Sequence, residues 1–194
     1  MKKFFTVCFA ACLLAAGAVV GPLSGDPAFA SVDARVRNEA KRQAIAALLR
    51  QYNKKLTEVK AYEYAVFIIQ ASDTFGQDPF LIASMVVCES SARADAVSSG
   101  GDYGLMQVRW RVHQKKITRK YPHIKKAKDM LNPKDNLMVG TEIFSVYRKT
   151  ANYDDRGGLA YYTAGNRQMA NKVFAIRSRL EKSYLERQRS ATEP

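Results

Sequence analysis

Cysteine, tryptophan and histidine are scarce in this chain of 194 residues, which contains three Cys, one Trp and two His. Cys8 and Cys12 lie in an apolar run near the N-terminus, so Cys88 is the only cysteine beyond it. One remaining cysteine cannot form an intrachain disulfide, and stability must therefore come from packing. His113 and His123 show no metal-ligand spacing, so we predict neither a metal site nor a cofactor.

Long apolar runs are absent after residue 20, and no later segment approaches the roughly 18 uninterrupted apolar residues of a membrane span. The first run follows Met1-Lys2-Lys3 and leads to Ala28-Phe29-Ala30, a pattern typical of a secretory signal peptide cleaved after Ala30. We therefore expect an exported protein, periplasmic or cell-wall associated, that is soluble or peripheral. A lipoprotein anchored at Cys12 is the alternative, although apolar residues continue beyond that cysteine.

Acidic residues are also scarce, since 31 Lys and Arg oppose 18 Asp and Glu and leave a formal net charge of +13. The segment from Arg109 to Lys128 contains nine basic residues and no acidic one. An exported basic surface predicts an anionic partner such as the wall or a membrane surface. The alternative is that these basic residues only face solvent and bind no partner. No nucleic acid is expected, because export argues against it and no nucleic-acid-binding motif accompanies the charge.

Helical spacing of apolar residues dominates the rest of the chain, and no internal repeat interrupts it. Strand signals are nearly absent, except that the loop from Val97 to Val108 can hold a short hairpin. The predicted helices are Val32–Tyr52, Val59–Thr74, one after Asp78, a long one after Asn132, a short one from Asp155 towards Gly165, and Gln168–Arg187. The length after residue 30 suits one domain.

Glu89 occupies a position where the helical pattern calls for an apolar side chain. It follows Ile82, Met85 and Val86 at helical spacing, in a helix whose start is marked by a capping aspartate and a proline at 78–79. Partial burial and the negative end of the helix dipole are expected to raise the pKa of Glu89. A carboxyl group that stays protonated near neutral pH can act as a general acid. An ordinary glutamate at a frayed helix end is the alternative.

Three motifs in order surround this residue. They are Glu89-Ser90 with Ala96, Ser98 and Gly104-Leu105-Met106-Gln107; then Asn132-Pro133 with Asn136, Leu137 and Gly140; and then Ala160-Tyr161-Tyr162-Thr163-Ala164-Gly165. In residue type and spacing they resemble the soluble lytic transglycosylases, relatives of goose-type lysozyme that cleave the glycan of peptidoglycan. The resemblance spans about Asp78 to Gly165.

The resemblance implies a mainly α fold, a single lysozyme-like (goose-type) helical domain with at most a small β-hairpin beside the active-site loop. We predict a signal peptide at 1–30, an N-terminal helical segment at 31–75, the catalytic domain at 76–187 and a polar tail at 188–194. The implied activity is cleavage of the β-1,4 bond between N-acetylmuramic acid and N-acetylglucosamine, with formation of a 1,6-anhydro sugar. By this resemblance, Glu89 acts as a general acid in the first step and as a general base in the second.

The same resemblance implies the residues that contact the substrate, which are Ser98, Met106, Gln107, Tyr162 and Thr163. Ser98 is expected to hydrogen-bond the assisting N-acetyl group, and Met106 to line the trough against a sugar face. Tyr162 and Met106 are equally compatible with ordinary core positions when the motif is set aside.

Cys88, beside the acid, has the helical register of a small buried residue, and no histidine lies near it in sequence to make it a nucleophile.

Three positions depart from the family pattern: Ala92 replaces an aromatic residue, Asp102 an alanine and Thr163 an asparagine. Ala92 is expected to affect packing, and Thr163 to change the geometry of a hydrogen bond to the sugar. Asp102 is a candidate second carboxylate, and a second carboxylate is what a lysozyme-type hydrolase (muramidase) requires. A turn-capping role is the alternative for Asp102.

A non-catalytic peptidoglycan-binding or assembly protein is a further alternative, in which the altered motif positions mark lost activity. Wall turnover, passage of a secretion or conjugation apparatus, and phage-derived lysis all use such domains. An envelope-spanning secretion machinery is therefore among the expected partners, beside the glycan strands of peptidoglycan.

Overall fold

The computed structural model describes the backbone of residues 27–192 and the side chains of residues 35–189. The chain divides into two compact units, residues 1–35 and residues 36–194. Of the first unit, the described part is the helical backbone of residues 27–35. The predicted signal peptide lies outside the described residues, except for the backbone of its last four, and so do Cys8 and Cys12.

Seven α-helices and one two-stranded antiparallel sheet make up the described part of the chain, together with a 3-10 helix at Ala127–Leu131. This content confirms the predicted mainly α fold with a small hairpin. The elements are α1 (Pro27–Tyr52), α2 (Glu58–Phe75), α3 (Pro79–Ser90), β1 (Asp102–Tyr103), β2 (Val108–Arg109), α4 (Trp110–Lys120), α5 (Pro133–Thr150), α6 (Asp155–Tyr162) and α7 (Arg167–Thr192).

Helix α3 lies at the centre of the core, packed against α2 and α7. The side chain of Asp78 accepts a hydrogen bond from the backbone N–H of Phe80 at 2.9 Å, and Pro79 is the first helical residue, as predicted. Every side chain from Phe80 to Val87 is buried. The predicted apolar stripe is therefore only part of a stretch that is enclosed on all sides, and Glu89 lies two residues beyond its end, after the half-buried Cys88.

Helix α5 begins as predicted, with the side chain of Asn132 accepting a hydrogen bond from the N–H of Asp135 and Pro133 in the first turn. It packs against α2 and α6. At Gly140 the neighbour is the side chain of Met106, whose Sδ would lie 2.6 Å from a Cβ at position 140. The missing side chain thus makes room for the predicted substrate-binding loop.

Helix α4 was not among the helices predicted from the sequence. Only Ile117 of this helix is buried, so the apolar periodicity that predicts a helix is weak. The N-cap residue Arg109 makes no side-chain capping bond, so the signal for a helix start is weak as well. The exposed basic residues of the segment between Arg109 and Lys128 therefore lie largely on a helix.

The final helix continues to Thr192, five residues beyond its predicted end, because no glycine or proline occurs between Arg187 and Thr192 to stop it. No helix among the described residues is long and apolar enough to cross a membrane.

Candidate active site

Glu89 lies in the last turn of α3, as predicted, where the helix meets the loop that follows it. Ser91 adopts a left-handed conformation at φ +53° and ends the helix. The hydroxyl of Ser90 is within hydrogen-bonding distance of two carbonyl oxygens, that of Val86 in the same helix at 3.1 Å and that of Leu105 at 2.8 Å. The end of α3 is thereby attached to the loop that carries the Gly-Leu-Met-Gln motif.

The carboxyl group of Glu89 has a strongly perturbed acidity. Burial raises its pKa to about 8, the negative charge of Asp102 adds to the rise, and the guanidinium of Arg109 opposes it. Glu89 is therefore protonated at neutral pH. A protonated carboxyl group at the floor of a cleft has the state that a general acid needs.

The loop after α3 folds into the small hairpin, in which Asp102 pairs with Arg109 and Tyr103 with Val108. Its turn requires left-handed backbone at Gly104 (φ +75°) and at Gln107 (φ +47°). A side chain at position 104 would also collide with the Asn136 amide, 2.4 Å from the position of its Cβ. Glycine at this position of the motif is therefore needed for both conformation and space.

Asn136 of α5 holds this loop against the helices. It is fully buried, its amide oxygen accepts a hydrogen bond from the N–H of Met106 at 2.8 Å, and its amide nitrogen donates to the carbonyls of Tyr103 at 2.7 Å and Met130 at 2.8 Å. Sequence analysis identified Asn136 only as a position of the second motif. In the structure, the hydrogen bonds of Asn136 hold the first motif in position.

Asp102 lies on the wall of the same cleft as Glu89 and forms a bidentate ion pair with Arg109. The distances are 2.6 Å from Oδ1 to Nε and 3.0 Å from Oδ2 to Nη2. Hydrogen bonding from Arg109 is the main reason that the pKa of Asp102 lies below its usual value. The second carboxylate is thus ionised and engaged, whereas Glu89 is protonated.

Ser98 lies behind Asp102, outside the lining of the cleft. Its hydroxyl donates to Oδ2 of Asp102 at 3.0 Å and accepts from the Asp102 N–H at 3.1 Å. The residue therefore supports Asp102 in this structure, and its predicted contact with the N-acetyl group requires a rearrangement of that hydrogen bond.

The cleft has a volume of about 320 Å³ and is open to solvent. Helices α3 to α7 and the hairpin all contribute to its walls. Its lining comprises Glu89, Asp102, Gln107, Val108, Arg109, Val112, His113, Ile143, Tyr147, Tyr161, Tyr162, Thr163, Ala164 and Met169. Five of the seven residues predicted for the site are in this set, namely Glu89, Asp102, Gln107, Tyr162 and Thr163.

Gln107 and Thr163 line the cleft, but the side-chain amide nitrogen of Gln107 and the hydroxyl of Thr163 already donate hydrogen bonds within the protein. The side-chain nitrogen of Gln107 donates to the carbonyls of Gly104 at 2.8 Å and Ala96 at 3.2 Å. The Thr163 hydroxyl donates to the carbonyl of Leu159 at 2.9 Å. The amide oxygen of Gln107 and the lone pairs of the Thr163 hydroxyl remain as hydrogen-bond acceptors.

The hydroxyl of Tyr162 donates a hydrogen bond to the carbonyl of Met106 at 2.8 Å, so this tyrosine connects the third motif to the first. Its burial holds the pKa of the phenol well above the usual value, and it stays a donor throughout the working pH range.

Met106 does not line the trough, which corrects the prediction that it contacts a sugar face. Its side chain is fully buried, with Sδ 3.6 Å from the hydroxyl of Thr141 and packed over Gly140. Because the N–H and carbonyl of Met106 are bound by Asn136 and Tyr162, the side chain is directed into the core.

An aromatic wall opposite the hairpin was missed in the sequence analysis. Tyr147 of α5 stacks on Tyr161 with ring centroids 6.1 Å apart and meets Tyr162 and His113 edge to face at 6.2 and 6.4 Å. Tyr161 is 56% exposed and lines the cleft. The only sequence signal was the recurrence of aromatic residues at 144, 147, 161 and 162.

Cys88 is half-buried, and burial raises the pKa of its thiol to about 11, which keeps it protonated and unreactive as a nucleophile. Among the described residues, no group of three or more His, Cys, Asp and Glu side chains is arranged to hold a metal ion.

Residues 66–185 match the family model of the transglycosylase SLT domain, a match that covers more than half of the chain. The chain belongs to this family. Transglycosylase SLT domains are lytic transglycosylases of the lysozyme-like superfamily and act on peptidoglycan. A search of the curated proteins and a search of the solved structures each found no match. The matched region of this SLT domain includes every residue of the cleft described above.

The pH profile of this SLT domain is expected to depend on Asp102. Asp102→Asn removes the negative charge that disfavours ionisation of Glu89 and leaves the opposing charge of Arg109, so the pKa of Glu89 falls. A general acid must be protonated, and the alkaline limb of the activity profile should therefore move to lower pH. Initial rates on soluble glycan strands between about pH 5 and 9 measure this shift.

Arg109→Gln is the matched opposite change and should move the same limb to higher pH, because it removes the charge that favours ionised Glu89. If the alkaline limb of the activity profile stayed at its wild-type pH in both variants, this explanation of the raised pKa of Glu89 would be wrong.

Proposed function

We propose that the protein is an exported lytic transglycosylase that cleaves the β-1,4 bond between N-acetylmuramic acid and N-acetylglucosamine in peptidoglycan and forms 1,6-anhydromuramic acid. The observation that carries this proposal is the pair of carboxyl groups in one cleft, of which Glu89 is protonated and Asp102 is neutralised by Arg109. One group is then available for acid and base chemistry, and a single such group suffices for this reaction.

In the first step Glu89 donates its proton to the bridging oxygen while the bond from that oxygen to C1 of the muramyl residue breaks. The carbonyl oxygen of the substrate's own N-acetyl group bonds to C1 in its place. In the second step the Glu89 carboxylate accepts the proton of the C6 hydroxyl, whose oxygen attacks C1 and displaces the N-acetyl oxygen. Glu89 ends protonated, as it began, and no water is consumed.

The surroundings of Glu89 support both steps. Its raised pKa lets it hold the proton at neutral pH before bond cleavage. The exposed ring of Tyr161 offers an apolar surface for a sugar face, and the oxygens of Gln107 and Thr163 offer hydrogen-bond acceptors in the same cleft.

A lysozyme-type hydrolase is the second candidate, and the position of Asp102 in the cleft wall is the observation in its favour. Such an enzyme needs the second carboxylate as a nucleophile or as a base for water. The two bonds from Arg109 and the one from Ser98 occupy both oxygens of Asp102, which is why we favour the transglycosylase.

Mass spectrometry of the fragments released from intact peptidoglycan by the purified protein decides between the two. The proposal expects fragments that end in anhydromuramic acid, one water lighter than reducing ends. Reducing ends would instead establish a hydrolase. Binding without any fragment would favour the non-catalytic wall-binding or assembly protein.

We propose that the enzyme acts in the periplasm or at the cell wall, where its substrate occurs, and the signal-peptide pattern of residues 1–30 supports this location. A role beside an envelope-spanning secretion machinery fits the same location.

The exposed cations of α4 are proposed to hold the enzyme to anionic wall or membrane surfaces. Because salt screens such attraction, cleavage of whole walls should fall as NaCl rises from about 0.05 to 0.3 M, while cleavage of short soluble glycan oligomers, which need no attachment to a surface, should fall much less. Equal salt responses on the two substrates would remove this role from the basic segment.

A further inference from the structure

A second groove lies between α4 and α5, with a volume of about 320 Å³. Its lining combines aliphatic side chains with the rings of Tyr121 and Tyr147 and is partly open to solvent: Val112 is 61% exposed and Val146 is 50% exposed, while Val139 is buried. The proposed chemistry makes no use of this groove.

The groove opens off the cleft that holds Glu89. Val112, His113, Ile143 and Tyr147 line both spaces, so the two share a wall rather than lying on separate faces of the domain. A molecule that branches from a sugar in the cleft can therefore enter the groove without leaving the protein surface.

The groove is positively charged. Lys116 and Arg119 lie on the same face of α4 as Val112, at helical spacing, and neither makes an ion pair within the described part of the chain. The one acidic lining residue, Glu142, is already engaged by Lys120 and by the hydroxyl of Tyr121, each at 2.6 Å. Two cations are thus left for an anionic ligand.

We propose that this groove binds the peptide stem of peptidoglycan, the short peptide with free carboxylates and alanine methyl groups that branches from the glycan strand. This inference rests on the proposed function, because it assumes that the glycan lies in the neighbouring cleft. Lys116 and Arg119 bind carboxylates of the stem, and the valines of α4 and α5 contact its methyl groups.

Two features favour a stem over further sugars of the same strand. A stem branches from the glycan, and the groove lies beside the cleft and shares four lining residues with it. The groove also offers exposed valines and two cations without an ion pair among the described residues, which suit a carboxylate-bearing peptide, whereas Tyr161, whose exposed ring suits a sugar, lines the cleft and not the groove.

Binding to the full-length inactive variant Glu89→Gln tests the proposal, because binding needs no chemistry. Calorimetric titration compares a peptidoglycan tetrasaccharide that carries its peptide stems with the same tetrasaccharide after an amidase has removed them. The stemmed ligand should bind about fivefold more tightly, as expected for two exposed charge pairs. Lys116→Gln with Arg119→Gln should abolish that preference.

Arg111→Gln with Lys115→Gln is the matched control, since it removes the same charge from exposed positions of the same helix outside the groove. It should keep the preference for the stemmed ligand. The proposal is overturned if both double variants retain the preference, if both lose it, or if the parent shows none. Failure of the wild-type protein to cleave, with the preference intact, would overturn the proposed function alone.

Discussion

Glu89→Gln is expected to reduce the rate of glycan cleavage by about 10³-fold or more, because the same carboxyl group supplies the proton to the leaving oxygen and later removes one from the C6 hydroxyl. The amide keeps the shape of the side chain but can neither donate a proton nor accept one at a useful pH. Release of soluble fragments from purified walls, followed by chromatography, measures the loss.

The fold is expected to survive this substitution. The pKa of Glu89 is raised from 4.5 to about 8 in the folded protein, so ionisation of Glu89 disfavours folding as pH rises through that range. Glu89→Gln removes this penalty and should raise the unfolding temperature at about pH 9, with little change at about pH 4. The control is Glu181→Gln, a substitution at an exposed position, which should alter neither activity nor stability. Near wild-type activity of Glu89→Gln would reject the proposed role.

Asn136→Ala is expected to destabilise the protein by about 3 kcal/mol or more and to disorganise the substrate loop. The substitution leaves a buried N–H and two buried carbonyls without their partner and opens a cavity beside them. Urea unfolding followed by circular dichroism measures the free energy of unfolding. Activity should fall at temperatures where the protein remains folded, because Met106 and Gln107 lose the contact that positions their backbone.

Thr141→Val is the matched control in the same helix. Thr141 is fully buried, and its hydroxyl has only the thioether of Met106 as an acceptor, at 3.6 Å, which is a weak interaction. Replacing it by a side chain of equal shape should cost less than about 1 kcal/mol. A similar cost for the two substitutions would show that the hydrogen bonds of Asn136 are not what holds the loop.

Local signals in the sequence were sufficient where one or two neighbouring residues determine the structure. The start of α3 follows from Asp78 and Pro79, and the start of α5 follows from Asn132 and Pro133, because a side-chain cap and a proline in the first turn act within four residues. The small hairpin was likewise expected in the loop from Val97 to Val108, in agreement with the family resemblance.

Where these signals were weak, sequence analysis failed. Helix α4 has few buried apolar residues and no side-chain cap, so nothing local distinguished it from a charged loop. The end of α7 was placed five residues early for the opposite reason, since polarity was taken as a stop although no helix-breaking residue was present.

The sequence by itself determined the family, the helical class of the fold and the position of Glu89 at a helix end, because motifs and caps are readable over short spans. Only the tertiary structure decided how the cleft is lined. Met106 proved buried, Asp102 proved to be paired with Arg109, and Tyr147 and Tyr161 came together from separate helices. Each of these outcomes depends on contacts between elements distant in sequence, and side-chain burial and pairing are properties of that packing rather than of any local pattern.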